Sequence, residues 1–298
     1  MKSPSNLFAV LALMLSLPLV AEERTWTSSD GRELKAELVS YDLTAETVTI
    51  KNSRGEFTLP FAKISEDDQA FVKALAVKEA EEQEAAAKEA AGRAGKTTRE
   101  ETAAGNSYHV YYPKTYSVTQ KPPLLILFSP GGGGAGILKN FRQGADALGW
   151  ALVGCDKLKN GMPDDEGNKI FEDLLTAIEK RVDHDPNLLY MGGMSGGGLR
   201  AYKNSAVFDR PWKGIISCGG WLGGSVNYDL DYRKKMAVAM VNGDKDKNAN
   251  HYVGPDTAVL EKRRCEVELF AFPGGHVVGP PDVIAKAMTW VSKNTDKD

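Results

Sequence analysis

Leu188-Leu-Tyr-Met-Gly-Gly-Met-Ser195-Gly-Gly-Gly-Leu199 is the stretch on which the reading of this chain turns. The short apolar run 188–191 predicts a buried strand, and residues 197–205 predict a helix. Between them, Gly193-Met194-Ser195-Gly196-Gly197 has the form G-x-S-x-G. In a strand–turn–helix context this pattern marks a tight, strained turn that lifts a serine hydroxyl above a sheet, at the N-terminus of the next helix. Such a turn closes only if the flanking positions lack bulk. The five glycines between Gly192 and Gly198 meet that need, and a flexible glycine turn is the alternative reading.

Working outward, strand and helix patterns alternate. Residues 107–112, 124–128, 150–155, 214–218, 236–241 and 266–272 read as strands, several of them continuously apolar, as suits strands covered on both faces. Residues 137–148, 169–182 and 283–291 read as helices between or after them. This rhythm predicts an α/β fold with a doubly wound, mostly parallel sheet, whose ligand sits outside the carboxyl ends of the strands.

A serine hydroxyl needs a base to act as a nucleophile. Of the four histidines, His109 lies in an early strand, His184 between a helix and a strand, and His251 after a polar loop. Only His276, in Phe272-Pro-Gly-Gly-His276, follows the last predicted strand. The preceding strand runs into Asn242-Gly243-Asp244-Lys245-Asp246, and either aspartate can orient the base. Asp246 has the Gly-x-x-Asp spacing usual for a nucleophile-elbow fold. Asp244 is the alternative, and the residue not used is expected to form the turn.

The order Ser195, Asp246, His276 resembles that of α/β-hydrolases over residues 106–298. Tyr111-Tyr-Pro-Lys-Thr-Tyr116, the strand after Pro122-Pro123 with its glycine-rich loop, and Gly-Met-Ser-Gly-Gly are similar to secreted esterases grouped with polyhydroxybutyrate depolymerases and feruloyl or acetylxylan esterases. The resemblance implies an oxyanion hole built from the backbone N–H of Gly196 and one donor from the loop Ser129-Pro130-Gly131-Gly132-Gly133-Gly134. Alignment of the glycine runs places that donor on Gly132. Many relatives carry His-Gly where this chain has Ser129-Pro130, so the loop departs from the family's pattern. No Gly-Lys-Ser/Thr follows, which excludes a phosphate loop, and the loop is not a first βα unit with an acidic partner, which excludes a dinucleotide site.

The implied function is ester hydrolysis without cofactor or metal. Only a short segment separates Gly219 from the strand at 236. An absent lid suits a bulky or polymeric ester, such as a polyester or an acylated polysaccharide. Trp221 is placed to contact it, or simply to pack. A serine peptidase using the same three residues, and an inactive hydrolase fold retained for binding, are the other readings.

Residues 22–75 differ in pattern from the rest of the chain. Period-two runs with Gly-containing turns predict a small antiparallel sheet or barrel. Trp26, Asp30-Gly31-Arg32, Val48-Thr-Ile50, Phe57, Pro60 and Ile64-Ser-Glu-Asp-Asp-Gln69 resemble an SH3-like module related to a homology domain of a yeast endocytic adaptor. That implies a small β-barrel with a binding or spacer role and an unspecified ligand. Its carboxylates fall in turns or at a helix start, the ordinary solvated placement. Residues 76–105, rich in Ala, Glu and Lys, read as a helical spacer, ended by Gly92 and Gly95 and followed by an exposed boundary.

Residues 1–21 read as a signal peptide, with an uncleaved N-terminal membrane anchor as the alternative: Lys2, a short apolar run at 7–17, then Pro18-Leu-Val-Ala21. The expected location is secreted or periplasmic, with no membrane span in the mature chain. A net charge of −3 without a basic stretch argues against nucleic acid as a partner. Cys155, Cys218 and Cys265 are odd in number and widely spaced, which is not a disulfide framework. Cys155 and Cys218 fall in core strands and are expected as buried thiols.

Overall fold

The computed structural model describes residues 23–295. The signal-peptide reading of 1–21 lies outside them. The chain divides into two compact units, with the boundary between Ala85 and Ala86.

The first unit holds an antiparallel sheet of β1 (Arg24–Thr27), β2 (Glu33–Asp42), β3 (Thr47–Asn52) and β4 (Gly55–Pro60), in sequential order. A single 3-10 turn, Phe61–Lys63, leads to α1 (Glu66–Arg93). Alternation puts Trp26, Ala36, Leu38, Val48 and Ile50 on one face, where they pack with Phe61, Ile64 and Val72. Ser65 Oγ accepts the Asp68 N–H at 3.2 Å near the start of α1. One carboxylate departs from the solvated placement expected of this region. Asp68 is buried, pairs with Arg24 at 2.6 Å, and accepts the Thr27 N–H at 2.6 Å.

The second unit is built on an eight-stranded sheet. Its strands are β5 (Thr97–Glu101), β6 (Ser107–Tyr111), β7 (Leu124–Phe128), β8 (Ala151–Cys155), β9 (Leu189–Met194), β10 (Trp212–Cys218), β11 (Ala237–Gly243) and β12 (Glu266–Phe272). The order is β12-β11-β10-β9-β7-β8-β6-β5. The six strands from β12 to β8 are parallel, and β6 and β5 add antiparallel at one edge. Helices α2 (Gly134–Leu148), α3 (Asp164–Arg181), α4 (Gly196–Val207), α5 (Lys247–Lys262) and α6 (Pro281–Asn294) connect and cover it.

The period of two divides each central strand between two cores. In β7, Leu124, Ile126 and Phe128 join Phe171 and Leu174 of α3 and Tyr202 of α4, whereas Leu125 and Leu127 join Phe141 of α2 and Met288 of α6. The chain lays β8 to one side of β7 and β9 to the other. That reversal of winding opens a crevice at the carboxyl ends of β7 and β9, the place where such sheets bind ligands.

The reading of 76–105 as a spacer differs from this arrangement at its C-terminal end. Ala90 is buried in the second unit with Tyr112 and Tyr116. The Arg93 guanidinium lies over both rings, 4.9 and 5.5 Å from their centroids. Thr97–Glu101 is an edge strand paired residue for residue with β6. A charged, polar strand at a sheet edge carries no apolar alternation, so its composition resembles a linker's. Helix α5 also escaped the sequence reading, because its Asn-rich start and Pro255 obscure the periodicity.

Candidate functional site

Ser195 sits between β9 and α4 with φ 54° and ψ −120°, a backbone conformation that costs energy for any residue with a side chain. Its N–H donates to the Cys218 carbonyl at 2.8 Å, which ties the turn to the neighbouring strand. A Cβ at Gly193 or at Gly197 would collide with the Phe128 carbonyl of β7. Two backbones therefore pass within contact of each other beneath the serine, which is why the motif needs glycine on both sides. The result is a hydroxyl held at the N-terminus of α4, where the first N–H groups have no partner within the helix.

The loops after β11 and β12 are stitched together. Asp244 N–H donates to the Phe272 carbonyl and Lys245 N–H to the Gly274 carbonyl, both at 2.8 Å. A Cβ at Gly243 would strike the carbonyls of Gly274 and Gly275, so this approach also requires glycine. Stitching brings His276 to Asp246, with Nδ1 to Oδ2 at 2.7 Å. His276 Nε2 lies 2.9 Å from Ser195 Oγ. The three side chains thus form one hydrogen-bonded line from carboxylate to hydroxyl. The Asp246 side chain is 2% exposed while that of His276 is 40% exposed, so the line runs from the interior to the crevice.

Asp246 is also the N-cap of α5, where its Oδ1 accepts the Ala249 N–H at 3.1 Å. Asp244 faces elsewhere: its Oδ1 accepts the Gly274 N–H at 3.0 Å in the exposed turn. Gly219, at φ 60°, lies against the Asp246–His276 pair, and a Cβ there would sit 3.1 Å from Asp246 Oδ2 and 3.2 Å from His276 Nδ1. The glycine pair after β10 was the signal for this clearance.

The glycine loop after β7 differs from the expected arrangement at Gly132. Its N–H donates to the Ser129 carbonyl at 3.1 Å, closing a turn, and so is already engaged. Gly133 and Gly134 N–H groups are taken by the Asp156 carbonyl at 3.0 Å and by its carboxylate at 2.7 Å. Gly131 is the glycine of this loop whose N–H carries no such bond among the described residues. Gly196 begins α4, directly after Ser195.

A cleft of about 500 Å³ opens beside Ser195 and Gly196. Trp221 and Leu199 line it, as do Asn160, Arg200 and Lys203. Trp221 stacks on Tyr252 of α5 at 5.6 Å, and its ring centre is 6.5 Å from that of His276. Asn160 is anchored through its N–H to the Pro130 carbonyl at 2.8 Å, and its amide occupies the space that a Cβ on Gly196 would need. Neither Asn160 nor Tyr252 stood out in the sequence, since each lies in a polar run. Between β10 and β11 only the 3-10 turn Ser225–Asn227 is regular, which leaves the cleft without a helical cover from that segment.

No protein-family model matches the chain, and no curated protein sequence matches it. Solved structures match its fold. A ferulic acid esterase is 15% identical, the match covering 67% of this chain and 96% of that one, with a TM-score of 0.50. A hyperthermophilic esterase of the archaeon Pyrobaculum calidifontis is 12% identical over 66% of this chain and 82% of its own, with a TM-score of 0.52. The substrate-bound fluorophosphonate-binding serine hydrolase F of Staphylococcus aureus is 12% identical over 66% and 97%, with a TM-score of 0.50. The second unit therefore has the α/β-hydrolase fold.

Proposed function

We propose that this chain is a serine hydrolase of carboxylic esters, with Ser195 as nucleophile, His276 as general base and Asp246 as the acid that orients it. The observation that carries this reading is the continuous line Asp246–His276–Ser195, with bonds of 2.7 and 2.9 Å, standing at the crevice of the sheet. Ser195 Oγ attacks the ester carbonyl carbon as its proton passes to His276 Nε2. The oxyanion is received by the N–H of Gly196 at the start of α4 and, in place of Gly132, by that of Gly131. His276 then gives its proton to the departing alcohol, leaving the acyl group on Ser195. Water, deprotonated by His276, attacks the acyl carbon, the carboxylic acid departs, and Ser195 regains its proton. Asp246 stays ionised throughout and stabilises the imidazolium.

The uncovered cleft, with the Trp221–Tyr252 wall near His276, favours a bulky ester, polymeric in the setting where it is met. The ferulic acid esterase among the structural matches fits that choice. The first unit is proposed to be an SH3-like binding module, and the leader at 1–21 to direct the chain to the periplasm or the exterior. No helix among the described residues is long and apolar enough to cross a membrane. The test is hydrolysis of p-nitrophenyl acetate and butyrate by wild type and by Ser195→Ala. Turnover by wild type that falls by at least a thousandfold in the variant supports the proposal; equal rates refute it.

A further inference from the structure

The face of α4 that follows Ser195 carries donors for which the hydrolytic steps have no use. Gly196, Arg200, Lys203 and Val207 recur at helical spacing along one wall of the cleft. Lys203 is engaged, 2.5 Å from Asp164. Arg200 is half-buried, its guanidinium packed where a Cβ on Gly167 of α3 would lie, and it makes no hydrogen bond or ion pair among the described residues. Burial holds this guanidinium below its usual range, with Asp164, already on Lys203, acting in the opposite direction from a distance. Asn204, one position past Lys203, lines the same cleft, is 1% exposed, and its Nδ2 has no partner.

A partly desolvated cation without a contacting counter-ion and a buried amide donor without an acceptor both carry a cost. They lie together in one cleft, beside the nucleophile. Both are donors, so the missing partner is an acceptor, and the charge on Arg200 makes it an anion. A guanidinium offers parallel donors that match a planar carboxylate in a way that an ammonium does not.

We infer that the cleft takes an ester whose non-reacting part carries a carboxylate, held by the Arg200 guanidinium with Asn204 as a second donor. The inference rests on the esterase reading of Ser195. Arg200 lies five residues along α4 from Ser195, a rise of roughly 7–8 Å at 1.5 Å per residue. The carboxylate is therefore separated from the scissile carbonyl by a short chain or one ring, which Leu199 and Trp221 are placed to cover. Uronic acids acylated on a ring hydroxyl and half-esters of dicarboxylic acids meet this description.

The experiment compares kcat/KM for two matched pairs. p-Nitrophenyl hydrogen glutarate against p-nitrophenyl butyrate places the charge on the acyl side, and 4-acetoxybenzoate against phenyl acetate places it on the alcohol side. In wild type, at least one pair is expected to favour the anionic member tenfold or more. That ratio should fall at least tenfold in Arg200→Gln and be partly kept in Arg200→Lys. Because a ratio is read, a general loss of activity from imperfect folding cancels. Calorimetric titration of 4-acetoxybenzoate into Ser195→Ala, and into Ser195→Ala/Arg200→Gln, gives a readout that needs no turnover. Binding at least tenfold weaker in the double variant supports the anion site even if wild type hydrolyses nothing, in which case it is the esterase reading that fails. No anionic preference in either pair, or a ratio or affinity unchanged by Arg200→Gln, overturns the inference.

Discussion

Asp246→Asn separates the chemistry of the site from its architecture. Asn caps a helix about as well as Asp, and its Oδ1 can still accept the Ala249 N–H that Asp246 accepts at 3.1 Å. The fold should therefore lose less than about 1 kcal/mol. The other oxygen, 2.7 Å from His276 Nδ1, becomes an NH2 that cannot accept a hydrogen bond from the ring. His276 must then present a lone pair at Nδ1 and carry its proton on Nε2, facing Ser195 Oγ at 2.9 Å, where it cannot take the serine proton. Loss of a buried charge-assisted hydrogen bond alone is worth about 1.5–3 kcal/mol, roughly 10- to 150-fold in rate. The wrong tautomer adds to this, and the same change in a Ser-His-Asp protease costs about 10⁴ in kcat. We expect kcat on p-nitrophenyl acetate to fall by about 10³–10⁴ with the melting temperature nearly unchanged. Asp244→Asn, whose carboxylate only accepts the Gly274 N–H in an exposed turn, should stay within about threefold. Retention of more than a tenth of kcat by Asp246→Asn, or the opposite ranking of the two variants, would refute the assignment.

The remaining predictions concern the frame around the site. A chain beginning at Ala103 removes β5, Ala90 and Arg93, leaving β6 paired on its β8 side alone and uncovering Tyr112 and Tyr116. At about 1.5 kcal/mol or more for each uncovered ring it should melt at least roughly 6 °C below one beginning at Ala86, as thermal unfolding by circular dichroism will show. Gly197→Ala forces a Cβ onto the Phe128 carbonyl, so it should cost about 1–3 kcal/mol in denaturant unfolding and abolish measurable hydrolysis; a stable, active variant would contradict the close approach of β7 and α4. Burial pushes the Cys218 thiol up to about 12 and raises Cys155 and Cys265 as well, so thiolate is scarce at neutral pH and iodoacetamide should label none of the three until the chain is unfolded.

Much of the second unit was legible because its signals are strong and local. The continuous apolar runs of β7 and β8 leave no other reading, and the motif at Ser195 marked where strand gives way to helix. The aspartate choice came from spacing, and the structure puts Asp246 on His276 and Asp244 in the turn. What escaped depended on three-dimensional context. β5 is a polar edge strand, recognisable only by its partner β6. Gly132 and Gly131 are indistinguishable in sequence, and only the turn bond to Ser129 separates a committed N–H from a free one. Arg200 is one cation among many in the sequence. Its burial without a contacting counter-ion, which makes it informative, emerges from the packing of α3 against α4.

The most direct test of the central claim is intact-mass spectrometry of the protein after exposure to a fluorophosphonate, followed by peptide mapping. The account predicts one adduct per chain, located on Ser195, absent from Ser195→Ala, and formed at least a hundredfold more slowly in His276→Ala. An adduct on any other residue, or labelling of Ser195→Ala equal to that of wild type, would contradict it.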